Sequence, residues 1–240
     1  MNPLKNYYFL CMIFAYMMGG KLAIAANEKL PINNAEIKGL HLRISEAEAF
    51  KALNSKKIIP SPYPPTSPEQ KVLVCGTKFK SPCDFSVAGE IPFATVLAFY
   101  DGTLRTVIFT IVHPDDVSGK SKVGIEQRAN WIVKSYQNIL NAFVEKFGIP
   151  LQDKPHYNAP GASSVSETYD HENVWIFGND DIVINLNKHG EGKPPLNQQI
   201  DIEFFDKRWQ IDDKKRSEEA KAKKSQKDQE NDLKKRKSDL

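Results

Sequence analysis

The chain has 240 residues, of which 40% are hydrophobic and 26% charged, and its formal net charge is +3 at pH 7. This length suits one ordinary domain or two small ones. The composition, with 13 Gly, 15 Pro and three Cys, excludes a collagen, a disulfide-dense miniprotein, a wholly disordered chain and a polytopic membrane protein.

Residues 1–25 are predicted to be a cleaved export signal. Lys5 precedes an apolar run over residues 7–18, which is too short to span a bilayer. Ala23 and Ala25 then give the A-x-A spacing that a signal peptidase recognises, so we place the cut after Ala25, with a cut after Ala26 as the second choice. An uncleaved anchor is the alternative. We expect a periplasmic or secreted protein whose mature chain has no transmembrane span.

Two cysteines remain after the signal, Cys75 and Cys83, eight positions apart. In an oxidising compartment this pair predicts a disulfide. A metal site is the competing interpretation, but two thiols at this spacing, with no nearby His and no second pair, match no zinc motif. We therefore expect a structural bridge, no metal and no cofactor.

Residues 26–205 are predicted to form one α+β domain, and two related strand-and-helix halves, 37–147 and 148–205, are a further hypothesis. The expected fold is an antiparallel sheet with a central Asp-Gly hairpin. One long amphipathic helix packs on this sheet, a short helix precedes it, and a charged carboxy-terminal helix follows it.

The first elements are a strand and a capped helix. Alternation of apolar residues predicts a short strand over residues 37–44. Ser45 and Glu48 form a capping-box pattern that opens a helix ending near Leu53. Five prolines in residues 58–68 then predict an extended linker.

A β-hairpin gives the strongest local signal. Short strands are predicted at residues 72–74 and 85–87, and two longer β-rich runs follow, separated by Asp101–Gly102, a pair typical of a type I′ turn. A two-residue turn predicts the register pairs Phe99 with Leu104, Ala98 with Arg105, and Leu97 with Thr106. Apolar residues occupy both faces of the hairpin, so we expect it to be central and covered in part on both sides.

A long helix is predicted over residues 124–147. Its apolar residues recur at three- and four-residue steps, which indicates a face that lies on the sheet. This stripe consists of Ile132, Tyr136, Ile139, Leu140, Phe143 and Phe147. Gly148 supplies a terminating left-handed residue, and Pro150 prevents the helix from resuming.

The second half repeats the pattern more weakly. Loops are predicted at residues 155–166 and 189–195, a turn at residues 178–180, and strands at residues 174–177, 181–186 and 200–205.

The tail, residues 206–240, holds 13 Lys and Arg against nine Asp and Glu, which gives +4 and leaves −3 for residues 27–205. It has too few large apolar residues to bury a core. Glu219 with Lys223 and Glu230 with Lys234 have helix-supporting spacing, so we expect a charged helical or disordered tail, and more specifically a frayed, solvated helix.

No catalytic residue can be assigned from the sequence. The five histidines have no i,i+3 or i,i+4 pair, and no P-loop, Rossmann fingerprint, zinc-protease motif or nucleophile elbow is present. The densest polar cluster is Asp170–His171–Glu172, which suits a general base or a metal ligand, or equally a turn before the next strand. An enzymatic role requires His156 or His189 to converge on His171.

The order of a strand, a capped helix and further strands around Gly39 and Ser45 resembles small exported modules of the β-lactamase-inhibitor-like and outer-membrane-assembly-lipoprotein-like folds. The segment Lys146-Phe147-Gly148-Ile149-Pro150 is similar to the Lys-Tyr-Gly-x-Pro that ends a helix there, with Phe147 in place of Tyr. Five residues separate Gly39 from Ser45 where those folds have one. The resemblance implies a non-catalytic binding role and names no ligand.

Three hypotheses follow. The leading one is an exported, non-enzymatic protein that binds a protein or an envelope component through a sheet edge or loops, with no nucleic acid as partner. The second is an exported hydrolase or metal-dependent enzyme that uses Asp170, His171 and Glu172. The third is an adaptor whose tail binds anionic polymers or a membrane surface.

Overall fold

The computed structural model describes residues 30–65, 69–114, 124–158, 168–191 and 197–238. These residues form a mixed α+β structure with three α-helices and one eight-stranded antiparallel sheet, which confirms the predicted fold class. The predicted signal at residues 1–25 lies outside the described residues.

The helices are α1 (Glu46–Leu53), α2 (Ile125–Phe147) and α3 (Lys207–Ser238). The strands are β1 (Ile59–Pro60), β2 (Gln70–Cys75), β3 (Ala94–Tyr100), β4 (Thr103–Val112), β5 (Gln152–Asn158), β6 (Thr168–Phe177), β7 (Ile182–Glu191) and β8 (Asn197–Asp206). Their order in the sheet is β1-β2-β3-β4-β8-β7-β6-β5. Two four-stranded meanders therefore meet where β4 pairs with β8.

One face of the sheet, the core face, packs against α1 and α2. Alternate strand residues point to it, and the apolar stripe of α2 covers them. Trp175 is 1% exposed between Phe143 and Phe147, and its indole Nε1 donates a hydrogen bond to the Gly148 carbonyl at 2.9 Å. Burial of each large apolar side chain contributes about 1.5–3 kcal/mol to folding.

The start of α1 has the expected capping box. The Ser45 hydroxyl accepts a hydrogen bond from the Glu48 N–H, and the Glu48 carboxylate accepts one from the Ser45 N–H at 2.8 Å. Two of the N–H groups that this helix end leaves without intrahelical partners are thereby satisfied.

The strand predicted at residues 37–44 is wrong. Lys38 and Arg43 have φ values of 57° and 67°, so the backbone turns twice where a strand would stay extended. Leu40 and Leu42 are nevertheless buried, because the turns direct both side chains into the core. The strand predicted at residues 85–87 is wrong too, since Val87 and Glu90 close a tight turn there.

The proline-rich linker contributes a strand in its first part. Ile59 and Pro60 pair with Val74 and Leu73 at the edge of the sheet, where a proline needs no N–H for a further neighbour. Residues 66–68 of the predicted linker lie outside the described residues.

The predicted hairpin register is correct only beside the turn. Phe99 pairs with Leu104, but Ala98 then pairs with Thr106, so the predicted pairs Ala98 with Arg105 and Leu97 with Thr106 are wrong. A β-bulge inserts Arg105 as an extra residue in β4. The bulge lets Leu104 and Val107 both point into the core, although they are three positions apart.

The strands of the second half are longer than predicted. β5 occupies residues that were expected to begin a loop, β6 includes the polar residues expected to form a turn, and β7 extends through the expected start of the 189–195 loop. The long antiparallel pairing of β6 with β7 keeps their polar ends extended, a tertiary effect that local composition does not show. The rest of both predicted loops lies outside the described residues.

The sulfurs of Cys75 and Cys83 lie at disulfide distance, with their Cα atoms 5.2 Å apart, as the sequence predicted. Both residues are buried beside β3. None of the helices among the described residues is both long and apolar enough to cross a bilayer.

Candidate functional site

A polar network joins α2 to strands β5 and β6 at the margin of the core face. The Tyr136 hydroxyl donates a hydrogen bond to Asn173 Oδ1 at 2.5 Å, and Asn173 Nδ2 donates to Asp153 Oδ1 at 3.0 Å. His171 Nε2 lies 2.5 Å from the same Asp153 oxygen. Asp153 thus holds both Asn173 and the imidazole.

Lys188 of β7 completes this network from the neighbouring strand. Its ammonium lies 5.3 Å from the centre of the Tyr136 ring, a cation–π distance. Burial lowers the pKa of Lys188, and burial together with the charge of Asp153 raises the pKa of Tyr136. Tyr136 is therefore a neutral donor, and the network closes the end of the core with satisfied polar groups.

Members of the predicted cluster Asp170–His171–Glu172 lie on opposite faces of the sheet, because side chains alternate along β6. His171 lies on the core face and pairs in register with Lys188, whereas Glu172 points to the opposite face. The side chain of Asp170 is outside the described residues.

His189 does not converge on His171, one of the two arrangements that would favour an enzymatic role. His189 follows Lys188 in β7, so it lies on the face opposite His171, with its Nε2 3.6 Å from Asp201 Oδ2. The side chain of His156 is outside the described residues. Across the ranges that the structure describes, no group of three or more His, Cys, Asp or Glu residues could hold a metal ion.

The second face of the sheet, here called the open face, carries one largely apolar cross-strand row, one mixed row and one largely polar row. The row nearest the β3–β4 turn contains Val72, Ala98, Thr106, Phe205, Val183 and Ile176. The middle row contains Val74, Val96, Ile108, Glu203, Asn185 and Val174. The third row contains Ala94, Thr110, Asp201, Asn187, Glu172 and Lys154.

The open face is therefore apolar toward one end of the strands and acidic toward the other. In the described part of the chain, α1 and α2 pack on the core face, and only the first turn of α3 touches a corner of the open face, where Trp209 meets Tyr100. Its residues Val96, Ile108, Ile176 and Phe205 are partly buried, and Val74, Val174 and Val183 on the same face are buried. Within the described ranges no helix lies over the middle of this face, which makes it the candidate interaction surface.

Asp201 organises the acidic end. Its side chain accepts hydrogen bonds from Thr110 Oγ1 and Gln199 Nε2, both at 2.7 Å, and only 9% of the residue is exposed. One row away, Asn185 Oδ1 is buried with no hydrogen-bond partner among the described residues, and it lies opposite Glu203. This corner of the face is rich in acceptors, so it suits a positively charged donor.

The two edges of the sheet are poorly suited to receive another strand. β1 is only two residues long and ends in Pro60. β5 is longer but contains Pro155, which pairs with His171 and has no N–H to offer on the free side. Short edge strands and edge prolines are the usual barriers to strand addition.

A separate buried cluster fixes the start of α3. Asp206 is 1% exposed and accepts hydrogen bonds from Arg43 at 2.8 and 3.1 Å, from Arg105 at 2.8 Å and from the Trp209 N–H at 3.0 Å. Burial alone would raise the pKa of Asp206, but the Arg43, Trp209 and Arg105 interactions outweigh it and hold the pKa below its ordinary value. Asp206 is thus both a charge partner and the N-cap of α3.

A groove of about 510 Å³ lies beside the disulfide, between the end of α1 and the segment after Cys83. Its volume is in the range of small-molecule sites. Exposed Ile91 forms one wall, and Lys38 and Asp84 bring opposite charges to it. None of the predicted polar cluster lies in this groove.

Lys188 and Asp206 were not identified from the sequence as partners at the sheet, although the alternation of apolar residues within their strands could have indicated them. In β7, Ile184 and Leu186 point to the core, which places Lys188 on the same face. In β8, Ile200, Ile202 and Phe204 do the same for Asp206. A charged residue that continues a row of buried apolar side chains needs a polar partner, but the sequence alone could not identify that partner.

No family model matches this chain, and no curated protein and no solved structure matches it either.

Proposed function

We propose that the chain is an exported, non-enzymatic protein that binds another protein through the open face of its sheet. The observation that carries this proposal is the arrangement of the sheet itself, with α1 and α2 on one face and a broad mixed surface on the other. Export is supported by the signal pattern of residues 1–25 and by the cysteine pair at disulfide distance.

The blocked edges favour the open face over the sheet edge that the sequence analysis also considered. With two residues in β1 and a proline in β5, main-chain pairing offers little to an incoming strand. Side-chain recognition on the face does not need free main-chain groups. The exported modules that the chain resembles imply a binding role, which agrees with this choice. That role stays a prediction.

The chemistry of the face supports one class of partner. Ile108 and Glu203 are direct cross-strand neighbours in the middle row, so an apolar side chain and a basic side chain of one partner segment can bind side by side. Asp201, two residues before Glu203 and on the same face of β8, adds a second carboxylate. We therefore propose a polypeptide partner that presents Lys or Arg beside apolar residues.

The hydrolase hypothesis is less well supported. It has one favourable observation, the contact of His171 with Asp153, which orients the imidazole. The same contact belongs to the network that closes the core, and His189 lies on the opposite face of the sheet.

Peptide selection tests the proposal. A displayed library of random peptides selected on the protein is expected to yield peptides that pair apolar with basic residues. Glu203→Lys should weaken their binding at least about tenfold, because one attractive ion pair becomes a repulsive one at a partly desolvated site. Ile108→Asp should weaken it similarly, and fluorescence anisotropy measures both effects.

Val133→Asp is the matched control, since Val133 is 55% exposed on α2, away from the open face. Its binding should equal that of the unsubstituted protein. Thermal melts establish whether each variant is folded. If Ile108→Asp does not fold, Glu203→Lys still tests the proposal. Peptides without basic residues, or equal binding to the Glu203→Lys protein, would contradict the proposal.

A further inference from the structure

A lysine-rich surface lies beside β1, at one edge of the sheet. It contains Lys56 and Lys57 from the segment after α1, and Lys78 and Lys80 from the loop between Cys75 and Cys83, and all four lysines are exposed. The Ser81 hydroxyl donates a hydrogen bond to the Lys57 carbonyl at 2.7 Å, which joins the two segments. The four ammonium groups therefore share one surface, here called the lysine surface.

Positive charge is in excess on this surface. One acid lies beside it, Asp84, and a hydrogen bond from the Ser55 hydroxyl, another from the Lys56 N–H and the charge of Lys57 hold the pKa of Asp84 below its ordinary value. Four positive charges thus face one negative charge, although residues 27–205 as a whole carry −3. A local charge opposite in sign to that of the body favours anionic partners at this place alone.

An exposed aromatic ring borders the lysines. Tyr63 is 63% exposed, and its ring meets that of Phe79 at 74° with centroids 6.5 Å apart, while the Lys78 ammonium lies 5.9 Å from the centre of the Phe79 ring. Two hydrogen bonds hold the loop on the sheet, from the Ser61 N–H to the Val72 carbonyl at 2.9 Å and from the Tyr63 N–H to Ser61 Oγ at 3.1 Å. The surface therefore combines a positioned ring with ammonium groups.

This combination fits a chain of acidic sugars. The C–H groups of a sugar ring pack on an apolar aromatic face, and ammonium groups bind carboxylates through charge-assisted hydrogen bonds. Exposed Pro62, Pro64 and Pro65 extend the apolar area around Tyr63. Duplex DNA suits the protein less well, because it carries a charge every 1.7 Å or so of its axis and a body of charge −3 repels so dense a polyanion.

We propose that the lysine surface binds an acidic polysaccharide, with sugar carboxylates at the four ammonium groups and one sugar ring on Tyr63. An acidic peptide is a weaker match, because the two-residue strand β1 offers an incoming strand almost no main-chain pairing. The lysine surface shares no residue with the open face, so this proposal does not depend on the protein partner proposed above.

Binding of fluorescently labelled oligogalacturonate, followed by anisotropy, tests the role of the lysines. The quadruple variant Lys56→Gln, Lys57→Gln, Lys78→Gln and Lys80→Gln should bind at least about tenfold more weakly, because it loses the charge-assisted contacts. The matched variant removes four exposed charges from α3 instead: Lys214→Gln, Lys215→Gln, Lys221→Gln and Lys223→Gln. Its binding should weaken no more than about threefold, since charges away from the site act only through screening solvent.

Variants of Tyr63 test the role of the ring. Tyr63→Ala should weaken binding at least about threefold, whereas Tyr63→Phe should bind as the unsubstituted protein does, because it keeps the apolar face. Added salt should weaken binding, and neutral dextran should not bind. Thermal melts establish whether each variant is folded.

Four results would overturn the proposal: no measurable binding of oligogalacturonate, equal losses in the two quadruple variants, unchanged binding to Tyr63→Ala, or tighter binding of duplex DNA or polyglutamate. None of them bears on the peptides selected on the open face, so the two proposals fail separately.

Discussion

Replacing Asp206 by alanine is expected to lower the free energy of unfolding by about 2–4 kcal/mol, because two partly exposed guanidinium groups lose the buried carboxylate that accepts their hydrogen bonds. Asp206 is 1% exposed and accepts hydrogen bonds from Arg43, Arg105 and the Trp209 N–H. The same change removes the N-cap of α3. Urea unfolding followed by tryptophan fluorescence measures the loss.

The pH dependence of this loss has a definite sign. The folded protein holds the pKa of Asp206 below its ordinary value, so its contribution is complete above about pH 4, the unfolded value. It disappears as the pH falls through the lowered folded-state pKa, when the carboxylate becomes protonated. The stability difference between the unsubstituted protein and Asp206→Ala should therefore shrink below pH 4.

Lys71→Ala is the control for this cluster. Lys71 forms an ion pair with Glu46 at 2.6 Å, but both side chains are partly exposed to solvent. Such surface pairs contribute about 1 kcal/mol or less. If the two substitutions cost the same, Asp206 is not the buried charge partner that the structure shows.

Replacing Gly76 by alanine is expected to lower the free energy of unfolding by about 3 kcal/mol or more. Gly76 has a φ of 122°, and a Cβ there would lie 2.2 Å from the Phe93 carbonyl oxygen. That oxygen belongs to the backbone leading into β3 and accepts a hydrogen bond from the Lys78 N–H, so it cannot move away freely. Thermal and urea unfolding measure the change.

Gly39→Ala separates the backbone strain from the clash. Gly39 also has a positive φ, 72°, but a Cβ there meets nothing within 4 Å. Only the cost of a left-handed alanine remains, about 1 kcal/mol. A Gly76→Ala protein as stable as Gly39→Ala would show that β2 and β3 do not approach each other as described.

Local signals in the sequence were sufficient for the elements that depend on neighbouring residues. Ser45 and Glu48 marked the start of α1 because a capping box is complete within four residues. The stripe from Ile132 to Phe147 marked the buried side of α2 because a helical face repeats within the helix itself. Cys75 and Cys83 were the two cysteines left once Cys11 was assigned to the predicted signal.

Contacts between distant segments could not be read in the same way. The β4–β8 pairing joins the two meanders, and Arg43 reaches Asp206 across 163 positions of the chain. The bulge in β4 contains Arg105, which also donates a hydrogen bond to Asp206. Nothing in the two-residue turn predicts this bulge. Alternation was misleading at residues 37–44, because turns through the left-handed residues Lys38, Gly39 and Arg43 also bring Leu40 and Leu42 into the core.

The proposal of protein binding rests on the open face of the sheet. Its apolar row, its carboxylates and the blocked edges beside it favour a protein ligand held by side chains.

Site-specific photo-cross-linking in the cell that makes the protein tests this claim most directly. A photoreactive amino acid at Ile108, on the open face, should give one discrete adduct with a polypeptide, and Glu203→Lys in the same chain should remove that adduct. The same amino acid at Val133, on the exposed side of α2, should give none. Adducts of equal yield at both positions, or an Ile108 adduct that survives Glu203→Lys, would contradict recognition through the open face.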